Sequence, residues 1–206
     1  MKLLFVCALA TLHCPAEVLP ITIYNAAQLK PDVMNSAGYL LRGIFRQSGI
    51  ASQIRLGELT ANEASLVLYT NRQDECRPRR DIALRILPSA PTGLPSTILA
   101  LAIPFSPSGV NVTVFADRVV GAAHQVNRPV PTVLAHVIAH EIGHVLLRSV
   151  QHTQRGLMAS QWTEHEYSLM AVSGLLFLPE QGREMMRTLS AHGCPPANAG
   201  ELGGAQ

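Results

Sequence analysis

The segment HEIGH contains a pair of histidines four residues apart, His140 and His144. Residues four apart lie on one face of an α-helix, so both imidazoles can reach one metal ion at about 2.0–2.1 Å. Glu141, the next residue, lies beside such an ion without binding it. A carboxylate there can take a proton from metal-bound water, whose pKa zinc lowers to about 7. The motif therefore predicts a helix with a hydrolytic zinc site and Glu141 as its base.

The residues before this motif extend the same helical pattern. Thr132 is expected to cap the helix, and a stripe of apolar residues follows it. His136 lies four residues before His140, but Val137 occupies the position that a base would need. We therefore interpret His136 as a residue of the helix face or as a support for the ligands.

Composition limits the other functions that the chain can have. With 206 residues and 48% hydrophobic content, the sequence suits one compact domain. Its formal charge of +2 indicates no nucleic-acid partner. The sequence carries no signal for an oligomeric state.

The first 16 residues differ from the rest of the chain. Lys2, an apolar run over residues 3–12 and Ala16 have the pattern of a secretory signal peptide, although a buried first strand is the alternative. The run is too short to span a membrane, and we expect no later transmembrane segment. We therefore predict a signal peptide at 1–16, a domain at 17–206, and a secreted or periplasmic location. Cys76 and Cys194 would remain, and one disulfide is possible.

The first half of the chain reads as a sheet with one covering helix. Residues 18–24 and 50–56 have strand character, and residues 31–49 carry a helical apolar stripe that ends at Gly49. Short turns in a strand, helix, strand order favour a right-handed crossover. Further β-like runs follow at 65–70, 81–87, 96–105 and 109–119.

The second half reads as helical. After the HEIGH helix, further helices are expected near 163–177 and 179–192. Thr163 and Glu166 have the spacing of a capping box, and Pro179 suits a first helical turn. With no repeat and no linker, the chain is predicted to form a single α+β domain with a twisted mixed sheet.

The segments HEIGH, His152 and GLM (residues 156–158) together resemble the metzincin zinc peptidases. In that family an active-site helix carries two histidines, a third histidine follows a turn, and a Met-turn lies beneath the metal. The resemblance implies zinc bound by His140, His144 and His152, with Met158 in the Met-turn and a peptide or protein as substrate. Segments over residues 18–162 are also similar to a group of uncharacterised bacterial metallopeptidase-like proteins that are taken to be secreted.

The spacing of the third histidine departs from the metzincin pattern HExxHxxGxxH. That pattern would place Gly at 147 and His at 150, where this chain has Leu147 and Val150. A continuous helix would carry His152 about 12 Å beyond His144, too far to share an ion. The chain must therefore turn sharply, and a residue such as Arg148 or Ser149 is expected to adopt a left-handed or otherwise sparsely populated conformation, at about 1–2 kcal/mol.

Several alternatives stay open at the level of sequence. In a thermolysin-like site the third ligand would be a downstream carboxylate, Glu164 or Glu166, and His165 is a further option. The Tyr that many metzincins carry after the Met is absent, and Tyr167 is the nearest substitute. A non-catalytic zinc-binding or peptide-binding module with the same fold is the rival function. For a peptidase, the strand near 98–103 is the expected sheet edge for an extended peptide.

Overall fold

The computed structural model describes residues 18–57, 82–104, 111–172 and 174–190. The predicted signal peptide, the predicted strand at 65–70, and Cys76 and Cys194 all lie outside these ranges. Within them, five strands and five helices are present. They are β1 (Val18–Asn25), α1 (Pro31–Gln47), β2 (Ala51–Gly57), β3 (Ile82–Leu87), β4 (Ala100–Ala102), β5 (Val112–Phe115), α2 (Ala116–Gln125), α3 (Val130–Leu147), α4 (Glu164–Val172) and α5 (Pro179–Ser190).

The five strands form one mixed sheet in the order β2-β1-β3-β5-β4. β1 pairs in parallel with β2 and β3, and β3 pairs in parallel with β5. Only β4 runs antiparallel, alongside β5, and it ends the order of strands. The strand, helix, strand unit predicted at the start of the chain is therefore confirmed, and the fold is α+β as expected.

One face of the sheet is more deeply buried than the other. In β1 and β3 every second side chain is buried, with partly exposed residues between them. On the less buried face, the Arg85 Nε donates a hydrogen bond to Thr113 Oγ1 at 3.0 Å. The period of two in these strands thus matches a sheet with a single well-covered face.

Two helices cover that face. α1 lies against β2, α3 lies against β4 and β5, and the two helices pack on each other. The predicted stripe of α1 is largely confirmed, since Ala37, Leu41, Ile44 and Phe45 are buried. α3 also contacts α2, α4 and α5, so the HEIGH helix lies at the centre of the domain.

The segment after β4 corrects one sequence-based prediction. Of the described residues in the β-like run at 109–119, four form β5 (Val112–Phe115), and α2 begins directly after Phe115. Val112 and Val114 favour a strand, whereas Val119 and Ala123 are buried four residues apart, as on a helix. The period changes within one short run, and the prediction missed the change. β4 is also shorter than predicted.

The start of α3 corrects a second prediction. The helix begins at Val130 with Pro129 as its N-cap, and Thr132 lies in the first turn. Pro131 suits this turn, where a backbone N–H has no helical partner. The helix therefore starts two residues before the predicted cap.

α4 ends five residues earlier than predicted. Gly174 has a φ of 78°, and its N–H donates to Leu169 O at 2.8 Å. A left-handed glycine that closes the last turn in this way ends a helix. The following residues then extend back toward α3, where they brace the candidate site.

α3 is long and apolar enough to cross a membrane by length and composition, contrary to the expectation that no such segment follows residue 16. However, 67% of its apolar window is buried inside the domain. Its contacts with the sheet and with four other helices account for its apolar character.

Candidate metal centre

The HEIGH motif lies in the last three turns of α3, as predicted. His140 is 9% exposed and His144 is 6% exposed. Both face one side of the helix because they are four residues apart. The helix thus delivers two imidazoles to one point with most of their surface removed from water.

The chain leaves the helix through a left-handed residue. α3 ends at Leu147, and Arg148 has φ 48° and ψ 43°. The Ser149 N–H then donates to His144 O at 3.2 Å, which closes the turn. This confirms the sharp turn that the spacing between His144 and His152 required, without a glycine.

The turn brings His152 back to the two helical histidines. His144 Nε2 lies 3.1 Å from His140 Nε2 and 3.2 Å from His152 Nε2. The three ligand atoms all lie within 4.8 Å of one another. Ligand atoms of a tetrahedral zinc site are about 3.3 Å apart when each is about 2.05 Å from the ion. The three nitrogens therefore form a site that can bind zinc.

Hydrogen bonds at the other ring nitrogens set the chemistry of this site. His140 Nδ1 lies 2.7 Å from Leu157 O, and His144 Nδ1 lies 2.7 Å from Ser149 O. A carbonyl only accepts, so each Nδ1 carries the proton and each Nε2 carries a lone pair. The two Nε2 atoms at 3.1 Å cannot bond to each other in this state. Facing lone pairs of this kind fit a shared cation, and carbonyl partners of this kind orient metal-binding histidines.

Burial keeps the helical histidines in the neutral form that metals bind. Burial lowers the pKa of His140 to about 4, the hydrogen bond to Leu157 partly offsets this, and His144 and His152 lower it further. Burial also lowers the pKa of His144, again with a partial offset from the Ser149 carbonyl. Neutral imidazoles need no deprotonation before they bind an ion.

The predicted base, Glu141, lies outside the cluster of ligand atoms. It is partly exposed and follows His140 directly on α3. Burial raises the pKa of this carboxyl to about 7. A carboxyl with a pKa near neutrality can both accept and release a proton at physiological pH.

The alternative ligands lie outside the cluster. Glu164, His165 and Glu166 lie in the first turn of α4, and none joins the three histidines. Glu166 instead accepts hydrogen bonds from the Thr163 N–H, at 2.8 Å, and from its hydroxyl. The predicted capping box is confirmed, and it accounts for this carboxylate.

Met158 packs directly beneath the helix. A Cβ built on Gly143 would lie 2.5 Å from Met158 Sδ and 2.7 Å from Phe177 Cε1. Gly143 lies between the two helical histidines, so only a residue without a side chain lets the methionine approach. The resemblance to a Met-turn thus corresponds to a real contact under the site.

The loop that carries Met158 is held by backbone bonds. Gly156 has a φ of 78°, and the Leu157 N–H donates to Leu176 O at 2.8 Å. The neighbouring Leu175 N–H donates to His136 Nε2 at 3.3 Å, while His136 Nδ1 lies 2.7 Å from Thr132 O. His136 thus ties α3 to the strand-like segment that supports the loop, which agrees with its interpretation as a supporting residue.

Sequence reasoning missed two parts of the site. The Leu157 and Ser149 carbonyls orient the histidines, and backbone groups leave no trace in a side-chain pattern. Trp162 was also missed, although its ring lies edge-on to His140 with centroids 5.6 Å apart. The one available signal was that Trp162 is the only tryptophan of the chain.

No family model and no curated protein matches the sequence. Among solved structures, the fold is similar to an archaemetzincin from Methanopyrus kandleri, with a TM-score of 0.51 and 14% identity, over 87% of this chain and 99% of that one. Metalloproteinase-II from Bacteroides fragilis is similar with a TM-score of 0.47 and 12% identity, over 84% of this chain and 54% of that one. The first likeness shows that the chain has a metzincin-like fold.

Proposed function

We propose that this chain is a zinc-dependent peptidase, with zinc bound by His140, His144 and His152 and with Glu141 as the general base. The observation that carries the proposal is the convergence of three imidazole nitrogens whose helical members have their Nδ1 protons bound to carbonyls. The likeness of the fold to a protein named archaemetzincin supports a peptidase over other hydrolytic enzymes.

His140, His144 and His152 would hold the zinc ion, which would supply Lewis-acid activation of a water molecule and of a peptide carbonyl. The residues of the chain supply the remaining steps. Glu141 accepts the proton that the attacking water loses, while the water oxygen bonds to the carbonyl carbon. The C–N bond then breaks, and Glu141 returns the proton to the leaving amine.

The substrate is proposed to be an extended peptide or protein segment along β4. This strand ends the sheet order and contacts α3, which bears the histidines. The Ile103 N–H donates to Asn111 O, and Leu99 O accepts from the Phe115 N–H, so odd-numbered residues pair with β5. The backbone groups of Ala100 and Ala102 therefore point to the outer edge, where a peptide can add as a strand. Ala102→Pro should raise KM, and an unchanged KM would count against this edge.

We also propose that residues 1–16 are a signal peptide and that residues 17–206 form the mature, secreted or periplasmic enzyme. The proposal is supported by the early lysine, the apolar run and Ala16. N-terminal sequencing of exported protein should find Glu17 first, and a retained Met1 would contradict the proposal.

The decisive experiment combines metal analysis with a cleavage assay. The purified protein should contain about one zinc per chain and should hydrolyse members of a mixed-peptide library. Glu141→Gln should retain zinc and lose about 10²–10⁴-fold of the hydrolysis, because an amide cannot accept the proton. Activity at the wild-type level in this variant would exclude Glu141 as the base. Zinc binding without any cleavage would favour the non-catalytic binding module.

A further inference from the structure

Trp162 lies where the loop after Met158 approaches α4. Its indole ring is edge-on to His140, with centroids 5.6 Å apart and an interplanar angle of 85°. Its Nε1–H donates a hydrogen bond to Leu157 O at 3.2 Å. The side chain is partly exposed, so it is neither an ordinary core residue nor a free surface residue.

The Leu157 carbonyl is shared between Trp162 and the metal centre. The same oxygen accepts the Nδ1 proton of His140 at 2.7 Å. A carbonyl oxygen has two lone pairs, so it can accept both donors at once. The N–H of Leu157, in the preceding peptide group, donates to Leu176 O at 2.8 Å and anchors the same residue to the segment before α5. The indole and the imidazole are therefore oriented against one fixed oxygen.

A second aromatic ring also contacts Trp162. The indole meets the Tyr167 ring edge-on, with centroids 6.1 Å apart. The Tyr167 carbonyl accepts a hydrogen bond from Arg128 Nε at 2.9 Å, and Arg128 also reaches the Ser168 hydroxyl at 3.2 Å. Arg128 lies between α2 and α3, so the contact ties α4 to the base of the active-site helix. The indole therefore contacts both His140 and Tyr167, and the Tyr167 backbone is anchored by Arg128.

We propose that Trp162 is a positioning residue of the metal centre, which holds His140 in its metal-binding orientation through the shared Leu157 carbonyl and through ring contact. The inference rests on the zinc site of the proposed function. Trp162 lies near the position where many metzincins carry a Tyr after the Met-turn, a Tyr that this chain lacks. Trp162 contacts His140 directly, so its replacement should lower zinc affinity.

The test uses the full chain freed of metal by a chelator. Trp162 is the only tryptophan, so the intrinsic fluorescence of the wild-type protein reports on this position alone. Added Co²⁺ should quench that fluorescence with a saturating, one-site curve. The absence of quenching and of zinc binding would overturn both the metal site and this inference.

Two variants then separate positioning from simple stability. Trp162→Phe keeps a ring against His140 but loses the N–H, and Trp162→Leu loses both. Zinc affinity, measured by competition with a chromogenic chelator, should fall by about tenfold in Trp162→Phe and further in Trp162→Leu, as for other partners of metal ligands. The visible d–d spectrum of the Co²⁺ form should also shift.

Ile21→Val is the matched control. Ile21 is a fully buried residue of β1 outside the site, so its truncation should lower the stability of the fold without changing the metal centre. It should leave zinc affinity and the Co²⁺ spectrum at wild-type values. Wild-type affinity and an unchanged spectrum in both Trp162 variants would overturn the inference, whatever happens to their melting temperatures. Zinc binding without peptide cleavage in the wild type would instead overturn the proposed function alone.

Discussion

The two halves of the candidate metal centre are built by different means. His140, Glu141 and His144 lie on α3, where regular hydrogen bonds and burial fix the backbone. His152 and the Leu157 carbonyl come from the irregular segment between α3 and α4, and His152 is exposed. The position of a ligand on a helix therefore depends on sequence spacing, whereas the position of a ligand on a loop depends on a few individual backbone hydrogen bonds.

The halves also depend on each other. The Ser149 and Leu157 carbonyls from the loop half orient the two histidines of the helix half. In return, Gly143 on the helix leaves the space that Met158 of the loop fills. A substitution in either half should therefore alter the geometry of the other.

The largest effect is expected from the ligand on the loop. His152→Ala should lower zinc affinity by more than about a hundredfold, since loss of a ligand exceeds the effect of losing a ligand's partner. Hydrolysis should be lost with it. The measurement is zinc content after dialysis, together with chelator competition.

Glu164→Ala is the matched control for this ligand. Glu164 lies in the exposed first turn of α4, so its loss should cost only about 0.3–1 kcal/mol through the helix dipole. If Glu164→Ala strips the zinc while His152→Ala leaves it bound, the loop half is not part of the site and a thermolysin-like ligand set applies.

The second prediction tests the contact between the halves. Gly143→Ala should destabilise the protein by about 1–3 kcal/mol, because its Cβ would overlap Met158 and the edge of the Phe177 ring. Gly43→Ala in α1 is the control, since a Cβ there meets nothing within 4 Å. It should stabilise by about 0.5–1 kcal/mol through helix propensity. Equal effects in urea denaturation would show that the Met158 contact is not tight.

The difference between a helix and a loop also determines how much of each half could be predicted from the sequence. The HEIGH helix was predictable because its ligands repeat at the helical period, and α1 and β1 were predictable from their apolar periods. Beyond Leu147 the spacing required a turn at a residue such as Arg148 or Ser149, and only the resemblance to metzincins pointed to His152 and Met158. The sequence could not supply the Leu157 and Ser149 carbonyls, because backbone acceptors are common to all residues.

The same limit explains the errors in the fold. Residues 109–119 contain both a strand and a helix start, and a window wider than either averages the two periods. The early end of α4 depends on the left-handed Gly174 and on the bond from Leu175 to His136, a contact 39 residues away in the sequence. Contacts of this kind arise only after the chain has packed.

The third prediction concerns the protonation of Glu141 in the metal-free protein. Burial raises the pKa of this carboxyl to about 7, whereas the pKa of a Glu in an unfolded chain is about 4.3. The folded state therefore binds the proton of this carboxyl more tightly than the unfolded chain does. Below about pH 4 the carboxyl is protonated in both states and does not destabilise the fold, whereas it destabilises the fold increasingly as pH rises toward about 7. Glu141→Gln should therefore gain about 1–2 kcal/mol over the wild type at pH 8, after allowance for partial exposure.

The comparison with the wild type at each pH isolates this carboxyl. The lowered pKa of His140, about 4, acts in the opposite sense, since its stabilising contribution is present above about pH 6.5 and is lost as pH falls through about 4. That contribution is shared by both proteins and cancels in the difference. Urea denaturation of both proteins with a chelator at pH 5 and pH 8 measures the difference in unfolding free energy. A difference that does not change with pH would show that the pKa of Glu141 is not raised.

The smallest effect is expected at the residue that joins the two halves. Arg148 ends α3 in the left-handed region, where a side chain costs about 1 kcal/mol relative to glycine. Arg148→Gly removes the strain and the side chain together, so Arg148→Ala, which removes the side chain and keeps the strain, is the proper reference. The glycine variant should be more stable than the alanine variant by about 1 kcal/mol, with equal zinc affinity. If the two variants are equally stable, the turn is not strained, and the loop half reaches the helix half without the conformational cost that the missing glycine implies.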